Sequence, residues 1–198
     1  MSVEIEHSLE LSNVVSSGSL QKEIERDAVK EALLDYDGID VPDKEPGLHI
    51  KMDDIEGTFI LHSSGKYILT GCSDKESVNK SVNHIREVLA DIGVITEDER
   101  ESLTNDVNNV VCTGNIDNFN TIDLRRLSIH LGLEDVVYNG EEFSSVVFSD
   151  ESYLSTFQIF SSAKVVLTGS PSFEESKEEF ELFIEEKLAP FFEITERH

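Results

Sequence analysis

The chain has 198 residues, 38% of them hydrophobic, with 41 acidic against 16 basic side chains and a formal net charge of −25. That suffices for one large or two small domains with a real core, and no apolar run is long enough to cross a bilayer as a helix. Two cysteines, Cys72 and Cys112, make neither a disulfide framework nor a metal set. The opening MSVEIEHSLELSN lacks the basic-then-apolar pattern of a secretion signal, so a reduced, cytoplasmic protein with no membrane partner is expected.

A charge this large accompanies disorder, a basic partner, or life in a salty cytoplasm. The apolar periodicity below argues against disorder. The acids are spread along the chain rather than gathered in a tail, which favours a dense carboxylate surface that keeps the protein soluble in salt.

In chain order, a strand is predicted over Leu9–Ser16. KEIERDAVKEALLD follows, with Ile24, Ala28, Val29, Ala32 and Leu33 at helical spacing. Short strands rich in Val, Ile, Phe and Thr come next. In TFILH, Phe59 and Leu61 point to one face and Thr58, Ile60 and His62 to the other. A long helix, SVNKSVNHIREVLADIG, carries Val78, Val82, Ile85, Leu89 and Ile92 on one stripe. The series then begins again. A strand is predicted over Val107–Thr113, and a helix in IDLRRLSIHLG with Ile122, Leu124, Leu127 and Leu131. Short strands include TFQIF, where Phe157 and Ile159 oppose Thr156, Gln158 and Phe160. The closing helix FEESKEEFELFIEEKLAPFF bears Phe173, Phe180, Phe183, Ile184 and Leu188 on one stripe and glutamates opposite.

The recurrence is literal. SSGKYILTG, ending at Gly71, returns as SSAKVVLTG, ending at Gly169, an offset of 98. SNVVSSG at Ser12–Gly18 meets NNVVCTG at Asn108–Gly114, offset by 96, and KEPGLHIKM at Lys44–Met52 meets EEFSSVVFS at 141–149. After each TG a serine precedes a glutamate by three, Ser73 to Glu76 and Ser172 to Glu175, and both read as capping boxes. Each half is therefore expected to be α+β, an antiparallel sheet with helices on one face. Its other face, carrying Ile60, His62, Gln158 and Phe160, is left open and needs a partner.

Twin α/β repeats with NVV opening each half and SSGK or SSAK followed by TG before the last helix resemble the TATA-binding protein family, of the archaeal kind. EPGLHIK is similar to the family's FPGLxxR. The likeness runs from about Leu9 to Phe192, and places one repeat over 8–96 and a second over 104–193. It implies a saddle-shaped, ten-stranded antiparallel sheet with helices on the convex face. The concave face would lie on A/T-rich promoter DNA in the minor groove, with wedges inserted between base steps. Carried over, groove-reading asparagines fall at Asn13 and Asn109, where an amide donor suits A·T acceptors. Floor contacts fall at Val15, Ile68 and Thr70 and at Val111, Val166 and Thr168, and phosphate contacts at Lys51, Lys66 and Lys164. The wedge sites are Glu45 and His62 in the first half and Phe143 and Phe160 in the second. The loop with Glu141 and Glu142 would meet transcription factor B.

The sequence departs from the pattern at both first-half wedges, at Ser149 in place of an arginine, and at Ser73 and Pro171 in place of a lysine after TG. For Phe143 and Phe160 the competing reading is ordinary core; for the asparagines, strand-edge polar groups; for the lysines and Glu45, solvated turns. The implied function is a general transcription initiation factor that binds and bends DNA and recruits transcription factor B. The alternative is a drifted paralogue that binds transcription factor B with weak or no bending. A homodimer off DNA, through the open face, is a further partner to consider. No enzyme, metal or cofactor is expected. Gly65-Lys66 lacks the rest of a phosphate loop, Asp35–Asp40 lacks alternating calcium ligands, and the six histidines show no metal spacing.

Overall fold

The computed structural model describes residues 4–138, 140 and 144–195. The chain divides into two compact units, one of residues 13–108 and one of residues up to Ser12 together with those from Asn109 on.

The first unit begins within strand β1 (His7–Ser19), at Asn13. Helix α1 (Arg26–Leu34), the two-residue strand β2 (Ile39–Asp40) and strands β3 (Leu48–Met52), β4 (Thr58–Leu61) and β5 (Lys66–Cys72) follow. Helix α2 (Lys75–Asp91) and the short α3 (Glu97–Ser102) complete it. Its strands pair antiparallel in the order β2-β3-β4-β5-β1.

The second unit repeats the plan. Strand β6 (Asn105–Ile116), helix α4 (Leu124–Leu131), strand β7 (Val136–Val137) and strands β8 (Ser145–Phe148), β9 (Thr156–Phe160) and β10 (Lys164–Thr168) are followed by helix α5 (Phe173–Phe183). A π-helical turn (Ile184–Leu188) leads into α6 (Ala189–Thr195). From Asn109 on, the order is β6-β10-β9-β8-β7, again antiparallel. The opening residues of β1 also belong here: Ser12 Oγ donates to Thr113 Oγ1 at 2.8 Å and Asp117 N to Glu6 O at 2.7 Å. The twin α+β plan expected from the sequence is present, ten strands among the described residues, five of them sequential in each repeat.

Period-two alternation builds each core. Phe59, Leu61, Tyr67 and Leu69 are at most 1% exposed, and α2, packed on β5, supplies Val78, Val82, Ile85 and Leu89. Each such side chain contributes about 1.5–3 kcal/mol by leaving water. In the second unit Phe148, Phe157, Phe180 and Phe183 are fully buried.

Local details differ from the sequence reading. α1 starts at Arg26, not Lys22, because the chain before it is pinned to the β4–β5 turn: Leu20 N donates to Gly65 O at 2.8 Å and Ile24 N to Ser63 O at 2.9 Å. Ile122 likewise precedes α4, its N–H on Ser161 O at 2.9 Å, while Asp123 caps the helix by accepting from the Arg125 and Arg126 amides. The box over Ser73 and Glu76 is displaced by one residue. Asp74 is the cap and pairs reciprocally with Ser77, and Ser73 instead donates to Glu56. Ser172 does cap α5, accepting from Glu175 N. The closing helix is not one helix. Pro190 has no N–H for the carbonyl four residues back, the turn before it widens, and Ala189 N donates to Ile184 O. His130 Nε2 then meets the Lys187 carbonyl at 3.0 Å, which requires the Nε2–H tautomer.

Two glycines leave room for an aromatic neighbour, Tyr67 on the adjacent strand in the first unit and Phe180 on α5 in the second. A Cβ at Gly18 would lie 2.3 Å from Tyr67 Oη and 2.7 Å from Thr104 O. That phenol is fixed by Arg86, which is only 8% exposed and whose Nη2 donates to Tyr67 Oη at 2.7 Å and to Thr104 O at 3.0 Å. At the repeat-equivalent Gly114, a Cβ would lie 2.4 Å from Phe180 Cζ. Gly18→Ala and Gly114→Ala are therefore expected to cost about 1–3 kcal/mol each through overpacking. Urea melts in concentrated potassium chloride measure this; an unchanged midpoint would mean that the aromatic neighbour moves aside without penalty.

Candidate nucleic-acid interface

Opposite the helices, each sheet presents a ladder of half-buried side chains. In the first unit His49, Ile60, Ile68 and Ser17 form one rung and Thr58 pairs with Thr70 in the next. Val15 sits at the irregularity between Val14 and Ser16. In the second unit Val147, Gln158, Val166 and Thr113 form the corresponding rung, Thr156, Thr168 and Val111 the next, and Ser145 pairs with Phe160. Ile68 is 38% exposed. The positions between these are core, so the sequence alternation assigned Ile60, His62, Gln158 and Phe160 to the correct side.

Among the described residues, the rungs of these faces lack carboxylates. About a fifth of the chain is Asp or Glu, 41 of 198 residues, yet none occupies a rung position on β3–β5 or β8–β10, nor on β1 and β6 beyond the asparagines. The first carboxylate met on that side is Asp40, on the edge strand β2 opposite Lys51. Lys51, Lys66 and Lys164 alternate onto the open faces, are exposed, and form no ion pair among the described residues. Elsewhere some cations are paired, as in Lys22 with Glu99 at 2.9 Å and Lys30 with Asp43, while others, such as Lys75 and Arg125, form no ion pair among the described residues.

The two asparagines are held identically. Asn13 Oδ1 accepts from Gly71 N at 2.7 Å, and Asn109 Oδ1 accepts from Gly169 N at 2.7 Å. A backbone N–H can only donate, so each amide is oriented with its oxygen toward the glycine and its NH2 group left to donate elsewhere. In the first unit that group reaches Thr70 Oγ1 at a long 3.4 Å. Both glycines have left-handed φ, +92° and +116°, and a Cβ at Gly169 would lie 2.8 Å from Leu154 O. The repeated TG is thus the anchor of the repeated Asn, a role the sequence reading missed: the Asn recurs at an offset of 96 and the glycine at 98, so the two lie 58 positions apart in the first unit and 60 in the second. It also missed Ser17, His49, Thr113 and Val147, the first three of which alternation from Val15, Lys51 and Val111 would have found.

The expected wedge positions fare unequally. Phe160 ends β9, half-buried on the open face. His62 is half-buried at the same point of the first unit, its Nδ1 3.3 Å from where a Cβ on Gly47 would be. Glu45 is exposed but not merely solvated: Arg26 Nη2 lies 2.7 Å from its Oε1, and that hydrogen bond holds its carboxyl below the usual range. Phe143, Glu141 and Glu142 lie outside the described residues.

A floor of mixed apolar and polar side chains with an oriented amide donor in each unit, its rungs free of carboxylates and bordered by lysines without an ion pair among the described residues, suits a polyanion with acceptors on its groove floor. The comparisons agree. The family model for transcription factor TFIID (or TATA-binding protein, TBP) matches residues 8–92 and 104–186. TATA-box-binding protein C of Halobacterium salinarum is 33% identical over 88% of this chain and 94% of its own. The TATA-box-binding protein of Haloarcula marismortui is 27% identical over 92% and 95%. Among solved structures, Methanococcus jannaschii TBP superposes with a TM-score of 0.71 at 22% identity, covering 91% of this chain and 97% of that one, and so shares its fold. With both repeats matched, this chain belongs to the TATA-binding protein family, whose members are transcription factors and not enzymes.

Proposed function

We propose that the chain is a general initiation factor that seats its open faces in the minor groove of A/T-rich promoter DNA, bends it, and recruits transcription factor B. One observation carries the DNA reading: a chain with a net charge of −25 keeps carboxylates off these rungs and fixes an amide donor in each half. Repulsion from phosphate is removed where contact would occur, while the glutamate-rich α5 packs on the other face of its sheet, with Phe183 on Phe157. Asn13 and Asn109 would donate to adenine N3 and thymine O2, and Lys51, Lys66 and Lys164 would meet phosphates. The loop containing Glu141 and Glu142 is the proposed contact for transcription factor B.

The paralogue reading keeps that partner and drops the bend. The Arg26–Glu45 ion pair favours it, because a paired carboxylate replaces an apolar wedge. Anisotropy titrations of an A/T-rich duplex over a series of potassium chloride concentrations decide between them. Binding is expected, with Lys66→Gln and Lys164→Gln each lowering the slope of log K against log salt by about 0.9. Transcription factor B bound to a protein that leaves the duplex free at every salt would establish the paralogue instead.

A further inference from the structure

We propose that Gln158 allows the second half to accept a G·C pair that the first half rejects, an inference that rests on the minor-groove reading above. The two open faces are equivalent by repeat, and at the offset of 98 Gln158 falls where Ile60 stands. Each occupies the middle of its rung: Ile60 pairs with His49 and Ile68, and Gln158 with Val147 and Val166. The hydroxyls beside them are matched, Thr58 and Thr70 against Thr156 and Thr168. The polar difference at mid-rung is thus the glutamine amide. His49 does not restore the balance, because its Nε2 is enclosed and unpartnered.

Gln158 is half-buried and held. Its Nε2 donates to Ser145 Oγ at 3.0 Å, and Ser145 is itself only 3% exposed. With Nε2 engaged by Ser145, the amide oxygen is left to accept. In the minor groove G·C differs from A·T by one group, the guanine 2-amino donor. Pressed on Ile60, that donor loses water and gains nothing, whereas over Gln158 it meets an acceptor.

Because the halves are equivalent, a duplex with one G·C pair can be bound with Gln158 over it, whichever half-site holds the substitution. A duplex with a G·C pair in both half-sites cannot be satisfied twice. Competition binding is measured on A/T-rich duplexes carrying G·C, or inosine·C, which lacks the 2-amino group, scanned in one half-site or both. For the unaltered protein, one G·C pair is expected to be tolerated and two to weaken binding about 10-fold, with inosine·C harmless throughout. Gln158→Leu is expected to lose tolerance of the single G·C pair, and Ile60→Gln to gain tolerance of two. A single G·C pair penalised as heavily in the unaltered protein as in Gln158→Leu overturns the proposal, as does an Ile60→Gln protein that still rejects two. If the parent A/T duplex is not bound at all, the minor-groove reading itself falls; if it is bound and only the G·C pattern fails, that reading stands.

Discussion

Phe160→Ala is expected to straighten the DNA. The ring closes β9 on the open face, opposite Ser145, and is half-buried there rather than sunk in the core. It takes no part in the aromatic cluster of Phe148, Tyr153, Phe157 and Phe183, so its removal should leave the melting temperature nearly unchanged. A wedge of this kind unstacks a base step at a cost of a few kcal/mol and regains it from the surface the bend brings together. In the first half the same place is filled by His62, and Glu45 is tied to Arg26. The proposed kink is therefore expected to come chiefly from the second half. Energy transfer between the ends of a labelled A/T-rich duplex is expected to fall to the free-DNA value with Phe160→Ala, with affinity about 10-fold lower, and to rise above wild type with His62→Phe. A bend that survives Phe160→Ala unchanged would remove the wedge from the mechanism.

How much of this was written in the sequence follows from the range of each signal. The repeat and its period-two alternation span whole strands, so the open face at Ile60, His62, Gln158 and Phe160 was legible. Signals that depend on one hydrogen bond were not. Ser73 and Asp74 are both good caps, and the choice of Asp74 is made by Glu56, which takes Ser73 from 17 positions away. Helix α1 lost its first turn to two backbone bonds from the β4–β5 turn. The Thr96–Glu99 capping box that starts α3 was visible as T-x-x-E and went unused. The asparagines were found by resemblance alone; what fixes them, a glycine N–H in left-handed backbone, becomes apparent only when β1 lies beside β5 and β6 beside β10.

Phe183→Ala should be the most damaging single change to stability. Its ring has no exposure and stacks on Phe157 at 4.2 Å between centroids, with an interplanar angle of 17°. Phe148 lies 5.5 Å away on one side and the edge of Tyr153 6.2 Å away on another. Tyr153 is enclosed enough that burial, aided by Glu186, pushes its phenol up to about 12. Removing the Phe183 ring deletes its transfer energy and leaves a cavity bounded by rigid aromatic faces, which collapse poorly, so a loss of about 3–5 kcal/mol is expected. At the repeat-equivalent position Ile85→Ala should cost about 2–5 kcal/mol, while Leu182→Ala, 41% exposed beside Phe183, should stay within about 0.5 kcal/mol. Against a typical domain stability of about 5–15 kcal/mol, Phe183→Ala leaves the second half marginal. Urea melts followed by tyrosine signals measure it, and a Phe183→Ala protein as stable as Leu182→Ala would contradict the packing. DNA binding then gives an independent reading of the same loss. Duplex that binds only folded protein should raise the midpoint of Phe183→Ala by mass action, as it does the wild type, whereas Phe160→Ala, with its core intact, should gain less from the same duplex concentration.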